Sequence, residues 1–200
     1  MMHKAHRIIG LLVLGLGVLT LAACESGLEK DLSRVQKTEN YSMTLTLHEL
    51  DEGEDVTITY SQDGDVLYYD IKFLEMRESY YDVESEEGYD RYSKSNGQWN
   101  RSSTDPEEDP LIQPDSVYLR PLALSEALFE SADDDDTYRL KEEAYEDLFG
   151  TKAEAVQNVR LTNTDGTIGF EYEFTQNTRT IEVSGIIDDI DETEITLPFE

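Results

Sequence analysis

The fold is decided by "TIGFEYEFT", residues 167–175. Every second residue of this stretch is large and apolar, and the residues between them are one glycine and two glutamates; the apolar set is Ile168, Phe170, Tyr172 and Phe174. Because successive side chains of a β-strand point to opposite faces of its sheet, this period of two predicts a strand with one apolar face and one face toward water. Asp165 and Gly166 precede the stretch and form a two-residue hairpin signal, so the strand before it is expected to be an antiparallel neighbour.

The same pattern extends over most of the chain. Apolar alternation recurs in "YSMTLTLHEL", "VTITYS" and "VLYYDIKF", and again in "VQNVRLTN" and "RTIEVSGII". Further hairpin signals stand at Asp63-Gly64 and Asn96-Gly97, and residues 86–88 are predicted to form another turn. "TYRLKEE" and the terminal "TEITLP" are expected to add strands. The sequence therefore predicts an α+β protein that is mainly antiparallel β, with about ten strands joined mostly by tight turns.

Three short segments favour helix instead. Residues 28–37 place three apolar side chains on one stripe of a helix: Leu28, Leu32 and Val35. A second helix is predicted over residues 121–131, with a proline in its first turn and two leucines one turn apart, Leu124 and Leu128. "AYEDLFG" predicts one or two helical turns that end at Gly150, and the proline-containing residues 102–117 are expected to form a loop.

The first 24 residues have the order of a secretory signal. The basic start "MMHKAHR" is followed by the apolar run "IIGLLVLGLGVL" and by the small-residue exit "LAAC", which ends at Cys24, the single cysteine. The apolar run is short for a bilayer span, which takes about 20 residues. "LAAC" resembles the bacterial lipoprotein signal, in which a lipid is joined to the cysteine sulfur and the chain is cut before it. The alternatives are an uncleaved anchor, or an ordinary signal with a chance cysteine.

This resemblance implies that residues 1–23 are a signal peptide, that Cys24 is the lipidated first residue of the mature chain, and that residues 24–27 include a short tether to a single domain, residues 28–200. The protein would then be held at the extracytoplasmic face of a cell membrane, stably if two or more acyl chains are attached. A lipidated Cys24 would leave no thiol for a disulfide, a metal–thiolate site or catalysis.

The charge of the chain argues against one class of partner, nucleic acids. The full sequence has 16 basic and 45 acidic residues and a net charge of −29. Cleavage would remove Lys4 and Arg7 and no acid, so 14 bases would remain and the net charge would be −31. Such a charge argues against nucleic-acid binding, which needs basic patches. It favours a well-solvated protein.

A leading helix after a lipidated cysteine, followed by a long antiparallel meander interrupted by helices, is similar to the LolA/LppX-like group of envelope lipoproteins and carriers. The similarity spans about residues 26–200 and depends on element order, on aromatic strands such as "VLYYDIKF" and on the closing "TEITLP". It implies a curved half-barrel sheet with two or three short helices on its concave face. Members of that group bind lipids, acyl chains or lipopeptides between sheet and helices, and some are envelope-stress sensors.

The resemblance suggests a non-enzymatic lipoprotein that binds a lipid or another apolar ligand between sheet and helices, without a cofactor. The apolar strand faces and the second helix would supply the walls: Met43, Leu45, Leu47, Ile58, Tyr60, Tyr69, Ile71, Phe73, Leu124, Leu128, Phe170, Tyr172 and Phe174. A filled core needs the same residues at the same spacing. The alternative is therefore a protein-interaction or sensor module of the cell envelope that has a filled core and no ligand.

Other candidate sites have weaker patterns. The acidic runs 133–136 and 188–194 could hold calcium, but neither has the spacing of a calcium loop, and both are typical of solvated turns. His48 is the single histidine after residue 24, and no nucleophile elbow or zinc-protease motif accompanies it. We therefore expect no catalytic residue and no metal site. Trp99, beside a hairpin turn, could anchor a partner but is more typical of packing on the sheet.

The role of Cys24 gives the first prediction. Cys24→Ser should abolish incorporation of radiolabelled palmitate into the protein and should move it out of the membrane-anchored fraction, because no other thiol is available for acylation. Ser26→Ala, two residues away, should keep both properties. Unchanged palmitate labelling of the Cys24→Ser variant would overturn the lipoprotein interpretation.

Overall fold

The computed structural model describes residues 26–49, 55–86, 88–104, 113, 115–132 and 136–198. Within them, eleven antiparallel strands form one open, curved sheet, and two α-helices accompany it, so the expected fold class is confirmed. The strands are β1 Asn40–Glu49, β2 Asp55–Asp63, β3 Val66–Phe73, β4 Met76–Ser85, β5 Gly88–Ser95, β6 Gln98–Thr104, β7 Phe129–Ser131, β8 Thr137–Leu140, β9 Val156–Thr164, β10 Thr167–Gln176 and β11 Arg179–Asp188. The helices are α1 Gly27–Thr38 and α2 Tyr145–Phe149. Cys24 and residues 1–23, predicted as a signal peptide, lie outside the described residues.

The sheet consists of two meanders that meet at its centre. Its strand order is β6-β5-β4-β3-β2-β1-β11-β10-β9-β8-β7, so every pair of neighbouring strands is also consecutive in sequence except β1 and β11. There the first strand pairs with the last, from Ser42 opposite Asp188 to Glu49 opposite Ile181. This long-range pairing makes one continuous apolar face from the two halves.

α1 begins and ends with specific caps. Ser26 accepts a hydrogen bond from the amide of Glu29, and Glu39, in the left-handed region at φ 47°, ends the helix. The predicted stripe is confirmed, since Leu28, Leu32 and Val35 are at most 2% exposed. This stripe packs toward β9, β10 and the turn at residues 121–123.

A buried polar contact fixes the position of α1 on the sheet. The carboxylate of Asp31, on α1, accepts a hydrogen bond from the side-chain amide of Asn163 on β9, at 2.9 Å, and both residues are buried. A buried polar group that lost its partner would be costly. The pair therefore favours one orientation of α1 on the sheet, in addition to the apolar packing that holds the helix there.

The helix predicted over residues 121–131 is wrong. The segment contains two short 3₁₀ turns, Pro121–Ala123 and Glu126–Leu128, followed by strand β7. Leu124, between the turns, is extended at φ −73° and ψ 135°. Two leucines one turn apart are too weak a signal, because pairing of Phe129 with Leu140 on β8 provides the backbone hydrogen bonds that a helix would have provided.

The terminal "TEITLP" is also not a strand in the structure. Asn40, at the start of β1, holds it through two side-chain contacts: its amide nitrogen donates to the carbonyl of Thr193, and its side-chain oxygen accepts from the Thr193 amide, both at 2.9 Å. This one residue satisfies backbone groups that a ladder partner would have satisfied, so residues 193–197 remain irregular.

Two of the turn predictions are confirmed, and a third is displaced by one residue. Asn96-Gly97 and Asp165-Gly166 form two-residue loops with positive φ at both positions, as type I′ hairpins require. The loop predicted at Asp63-Gly64 is displaced by one residue, because Asp63 pairs with Val66 and the loop residues are Gly64 and Asp65.

Gly185 allows close packing at the centre of the sheet. It lies opposite Leu45 on β1 and Phe170 on β10. A Cβ atom at Gly185 would be 2.4 Å from the carbonyl oxygen of Thr44 and 2.5 Å from Cζ of Phe170. Phe170 therefore occupies the space above residue 185 that a side chain would fill.

Gly185→Ala should destabilise the fold by about 1–3 kcal/mol, since backbone at Thr44 and a packed ring at Phe170 must both move. Urea unfolding followed by circular dichroism measures the change. Ser184→Ala is the matched control, because Ser184 is exposed on the same strand, and it should change the free energy of unfolding by no more than about 0.5 kcal/mol. Equal stability of the two variants would contradict this account of the central packing.

Candidate functional site

A ladder of four tyrosines crosses the apolar face of β1 to β4. The ring centroids of Tyr41 and Tyr60 are 5.8 Å apart, those of Tyr60 and Tyr69 are 5.0 Å apart, and those of Tyr69 and Tyr80 are 4.5 Å apart. Each tyrosine comes from a different strand. The register places Tyr69 directly opposite both Tyr60 and Tyr80, and it places Tyr41 diagonally across from Tyr60. Arg91 ends the ladder, with its guanidinium carbon 4.1 Å from the centroid of the Tyr80 ring.

Arg91 also holds a buried acid on this face. Its guanidinium donates two hydrogen bonds to the carboxylate of Asp82, at 2.8 and 2.7 Å, and Asp82 is 1% exposed. A bidentate pair of this kind compensates the desolvation of a carboxylate. On β4 and β5, this face of the sheet therefore carries an ion pair. On the strands under α1, the same face carries leucine and phenylalanine.

A half-open cleft lies at the Tyr41 end of the ladder, between the sheet and the turn at residues 121–123. Its volume is about 300 Å³. We call it the tyrosine cleft, and its walls are Glu39, Tyr41, Tyr60, Gln62, Leu67, Tyr89, Arg120, Pro121, Leu122 and Ala123. Strand alternation places the residues that come from the sheet. The left-handed cap of α1 places Glu39, and the 3₁₀ turn places Pro121, Leu122 and Ala123.

Two tyrosines and the arginine of the tyrosine cleft keep their ordinary charge states at neutral pH. Burial raises the pKa of Tyr41, and burial with the nearby acids raises the pKa of Tyr89, so both hydroxyls remain protonated and can donate hydrogen bonds. The Tyr60 hydroxyl donates to Gln62 at 3.1 Å. Burial lowers the pKa of Arg120, but from so high a value that the guanidinium stays charged.

Most of the thirteen predicted wall residues lie inside the core rather than around a cavity. Nine are at most 9% exposed: Met43, Leu45, Leu47, Tyr60, Tyr69, Leu124, Phe170, Tyr172 and Phe174. Ile58 and Leu128 are partly buried against that core. Ile71 and Phe73 are partly exposed toward the far end of β3. Of the thirteen, the tyrosine cleft has only Tyr60 in its wall.

Several residues of the cleft were missed by the sequence analysis. Tyr41 and Leu67 lie in phase with the predicted strand faces, so alternation could have found them. Arg120 and Pro121 lie far away in sequence, where Pro121 begins the segment predicted as helix and Arg120 directly precedes it, and no local pattern indicates that they line a cleft. Their position depends on a long-range contact, in which the Leu119 amide donates to the Tyr172 hydroxyl at 3.3 Å.

The second acidic run forms a turn. Asp189 and Asp191 have positive φ, Ile190 between them is buried, and its carbonyl accepts a hydrogen bond from Arg34 at 2.5 Å. Among the described residues, no group of three or more histidine, cysteine or acidic side chains is arranged to hold a metal ion. Three residues of the first run, 133–135, lie outside the part that the structure describes.

Trp99 packs on the sheet, as expected. Its ring meets the Tyr81 ring edge-on at 5.5 Å between centroids, and Tyr81 meets Tyr68 at 4.8 Å. We call Tyr68, Tyr81 and Trp99 the aromatic strip; by strand alternation it lies on the outer face, opposite the tyrosine ladder. All three rings are partly exposed.

No protein-family model matches the chain, and no curated protein matches it in sequence. In the part of the chain that the structure describes, we find no helix with the length and apolar character needed to cross a membrane.

His48 makes one ion-pair contact on the outer face. Its Nδ1 contacts the carboxylate of Asp55 on the neighbouring strand, and Glu182 is also close. The hydrogen bond to Asp55 and the charges of both acids raise the pKa of His48. The protonated pair therefore favours the folded state at a pH below the unfolded-state pKa, and this contribution is lost as the pH rises through the folded-state pKa.

Asp55→Asn should lower the pKa of His48 toward the ordinary histidine value of about 6.5, because the main hydrogen bond and charge are removed. Titration of the imidazole resonances by NMR measures it. Asp165→Asn, at a hairpin turn whose left-handed backbone suits asparagine, removes the same charge elsewhere and should leave the pKa of His48 unchanged. If Asp55→Asn has no effect, the pairing is wrong.

Proposed function

We propose that the chain is a lipoprotein, anchored through Cys24 to the extracytoplasmic face of a cell membrane, that binds a small and largely apolar ligand in the tyrosine cleft without catalysing a reaction. The observation that carries the proposal is the cleft itself, a half-open space between the apolar face of the sheet and a short turn.

The size of the cleft limits the ligand. Small-molecule sites occupy about 300–1,000 Å³, and the tyrosine cleft, at about 300 Å³, is at the lower end of that range. Because the residues beneath α1 pack into a core, the cleft suits one alkyl chain or one ring system, rather than a lipid with several acyl chains. Tyrosine rings and Leu67 provide the apolar contact area.

The position of the cleft fits a membrane-tethered protein. α1 begins at Gly27, three residues after Cys24, and its cap residue Glu39 lines the cleft. A helix of 12 residues is about 18 Å long. A lipid on Cys24 would therefore hold the membrane surface near one end of α1 and the cleft near the other, within reach of an amphiphile that leaves the bilayer.

The groups in the cleft favour binding over catalysis. Tyr41 and Tyr89 have raised pKa values and therefore do not accept protons at neutral pH. The Tyr60 hydroxyl and the Gln62 amide are already joined by a hydrogen bond. Such groups orient a ligand, whereas general acid–base catalysis needs a residue whose pKa lies near the working pH.

A protein-interaction module is the second candidate function. The aromatic strip favours it, because partly exposed tyrosine and tryptophan side chains are typical anchors of protein interfaces. The two functions use opposite faces of the same strands, so they differ in which face contacts the partner.

Filling the cleft tests the proposal. Membranes that contain the full-length protein would be exposed to a photoreactive analogue of decanol, and labelled residues would be mapped by mass spectrometry. Labelling at Tyr41, Tyr60 and Leu67 is expected. Ala123→Phe should raise the concentration needed for half-maximal labelling by about tenfold, since the new ring excludes several methylene groups from the cleft.

Ala127→Phe is the matched control, because Ala127 is exposed in the next 3₁₀ turn and does not line the cleft. It should label like the unsubstituted protein. Thermal unfolding of both variants verifies that they fold. Absence of labelling in the cleft, or equal labelling of the two variants, would refute ligand binding there.

A further inference from the structure

Arg120 keeps hydrogen-bonding capacity that the described chain does not use. Its Nη2 donates to the carbonyl of Leu148 at 3.1 Å. Its Nε is buried and has no hydrogen-bond partner among the described residues. Arginine presents five N–H donors in a fixed fork, and leaving a buried one unpaired is unfavourable.

The charge of Arg120 is also uncompensated at short range. Five other arginines lie within 4.0 Å of a carboxylate: Arg34, Arg77, Arg91, Arg101 and Arg160. Among the described residues, no carboxylate comes that close to Arg120, although the chain has 45 acids. A partly buried guanidinium without an anion is unusual, because desolvation of the charge then has no local compensation.

The surroundings of Arg120 indicate which anion would fit. Arg120 lines the same cleft as Tyr41, Tyr60 and Leu67, so an anion beside it would be joined to apolar contacts. Tyr89, in the wall of the cleft, has a pKa that is raised first by burial and then by four nearby acids: Glu84, Asp82, Asp65 and Glu39. These negative charges favour an anion with one charge, such as a carboxylate, over a phosphate with nearly two.

We infer that Arg120 is the subsite for the carboxylate of the ligand, and that the tyrosine cleft takes a monocarboxylic amphiphile with its apolar part against Tyr41, Tyr60 and Leu67; this inference rests on the proposed function. The guanidinium supplies charge-assisted hydrogen bonds to the carboxylate. The buried side chains of Leu67, Tyr41 and Tyr60 exclude water from the apolar part of the ligand.

Comparison of an acid with its alcohol tests the inference. The full-length protein in its membrane would be labelled with photoreactive decanoic acid and, separately, with photoreactive decanol, at about pH 8, where a carboxylic acid is ionised. The measured quantity is the ratio of the two half-labelling concentrations at Tyr41, Tyr60 and Leu67. A general disturbance of the fold changes both concentrations, whereas loss of the subsite changes their ratio.

Arg120→Gln should raise the half-labelling concentration of the acid by about tenfold or more and leave that of the alcohol nearly unchanged. Arg120→Lys should retain part of the preference for the acid, because it keeps the charge and loses the fork. Arg139→Gln, which removes the same charge at an exposed position of β8, should have no effect on the ratio.

The outcomes separate this inference from the proposed function. If both probes label the cleft and Arg120→Gln leaves their ratio unchanged, the carboxylate subsite is overturned and the ligand cleft stands. If neither probe labels the cleft of the unsubstituted protein, the proposed function fails and the subsite fails with it. A ratio that changes equally in the Arg139→Gln variant would show a general charge effect and would also overturn the subsite.

Discussion

The pairing of β1 with β11 is the constraint on which the rest of the structure depends. It joins the first strand to the last across about 140 residues and turns two separate meanders into one sheet. Side chains on both strands then form part of one apolar surface. This surface continues across β10 and β9, on which α1 packs. Gly185 favours the join, since a residue without a side chain leaves room for Phe170 without a shift of the neighbouring atoms. The same join brings Asn40 against the segment after β11 and fixes that segment without a further strand.

The segments that pack on the apolar face of the sheet cover only part of it, and the candidate site lies at the edge of the covered part. α1 packs over β9 and β10, and Leu119 and Leu124 are buried with it, so the core is solid in this region. Toward β4 and β5 the apolar surface gives way to the tyrosine ladder and to the Asp82–Arg91 pair. At the boundary between the two regions the 3₁₀ turn at residues 121–123 does not fill the space above Tyr41 and Tyr60. The resulting cleft combines aromatic walls with one partly buried arginine, and the proposed binding of an amphiphile rests on this combination.

The sequence predicted the parts of the fold that depend on local periodicity. Alternation identified the strands around Tyr172, Leu45 and Tyr69, and the stripe of Leu28, Leu32 and Val35 identified α1. Prediction failed where the local signal was short, as in residues 121–131, because strand pairing of Phe129 outweighed a single leucine pair. It failed similarly for "TEITLP", where side-chain hydrogen bonds from Asn40 replaced a ladder. For the site, alternation correctly placed Tyr60 on the buried face, but it could not separate a wall of the cleft from a core position such as Phe174.

The sequence by itself determined which side chains face the core, where two of the hairpins turn, and that the chain is strongly acidic, because these properties depend on residue type and on spacings of a few residues. Only the tertiary structure decided that the core beneath α1 is filled, that a cleft remains beside it, and that Arg120 lines this cleft with no carboxylate of the described residues within 4.0 Å. The physical reason is that each of these features depends on distances between residues far apart in the chain. Packing of such residues is set by the register of β1 on β11 and by the path of residues 115–124 across the sheet, and neither leaves a periodic trace in the sequence.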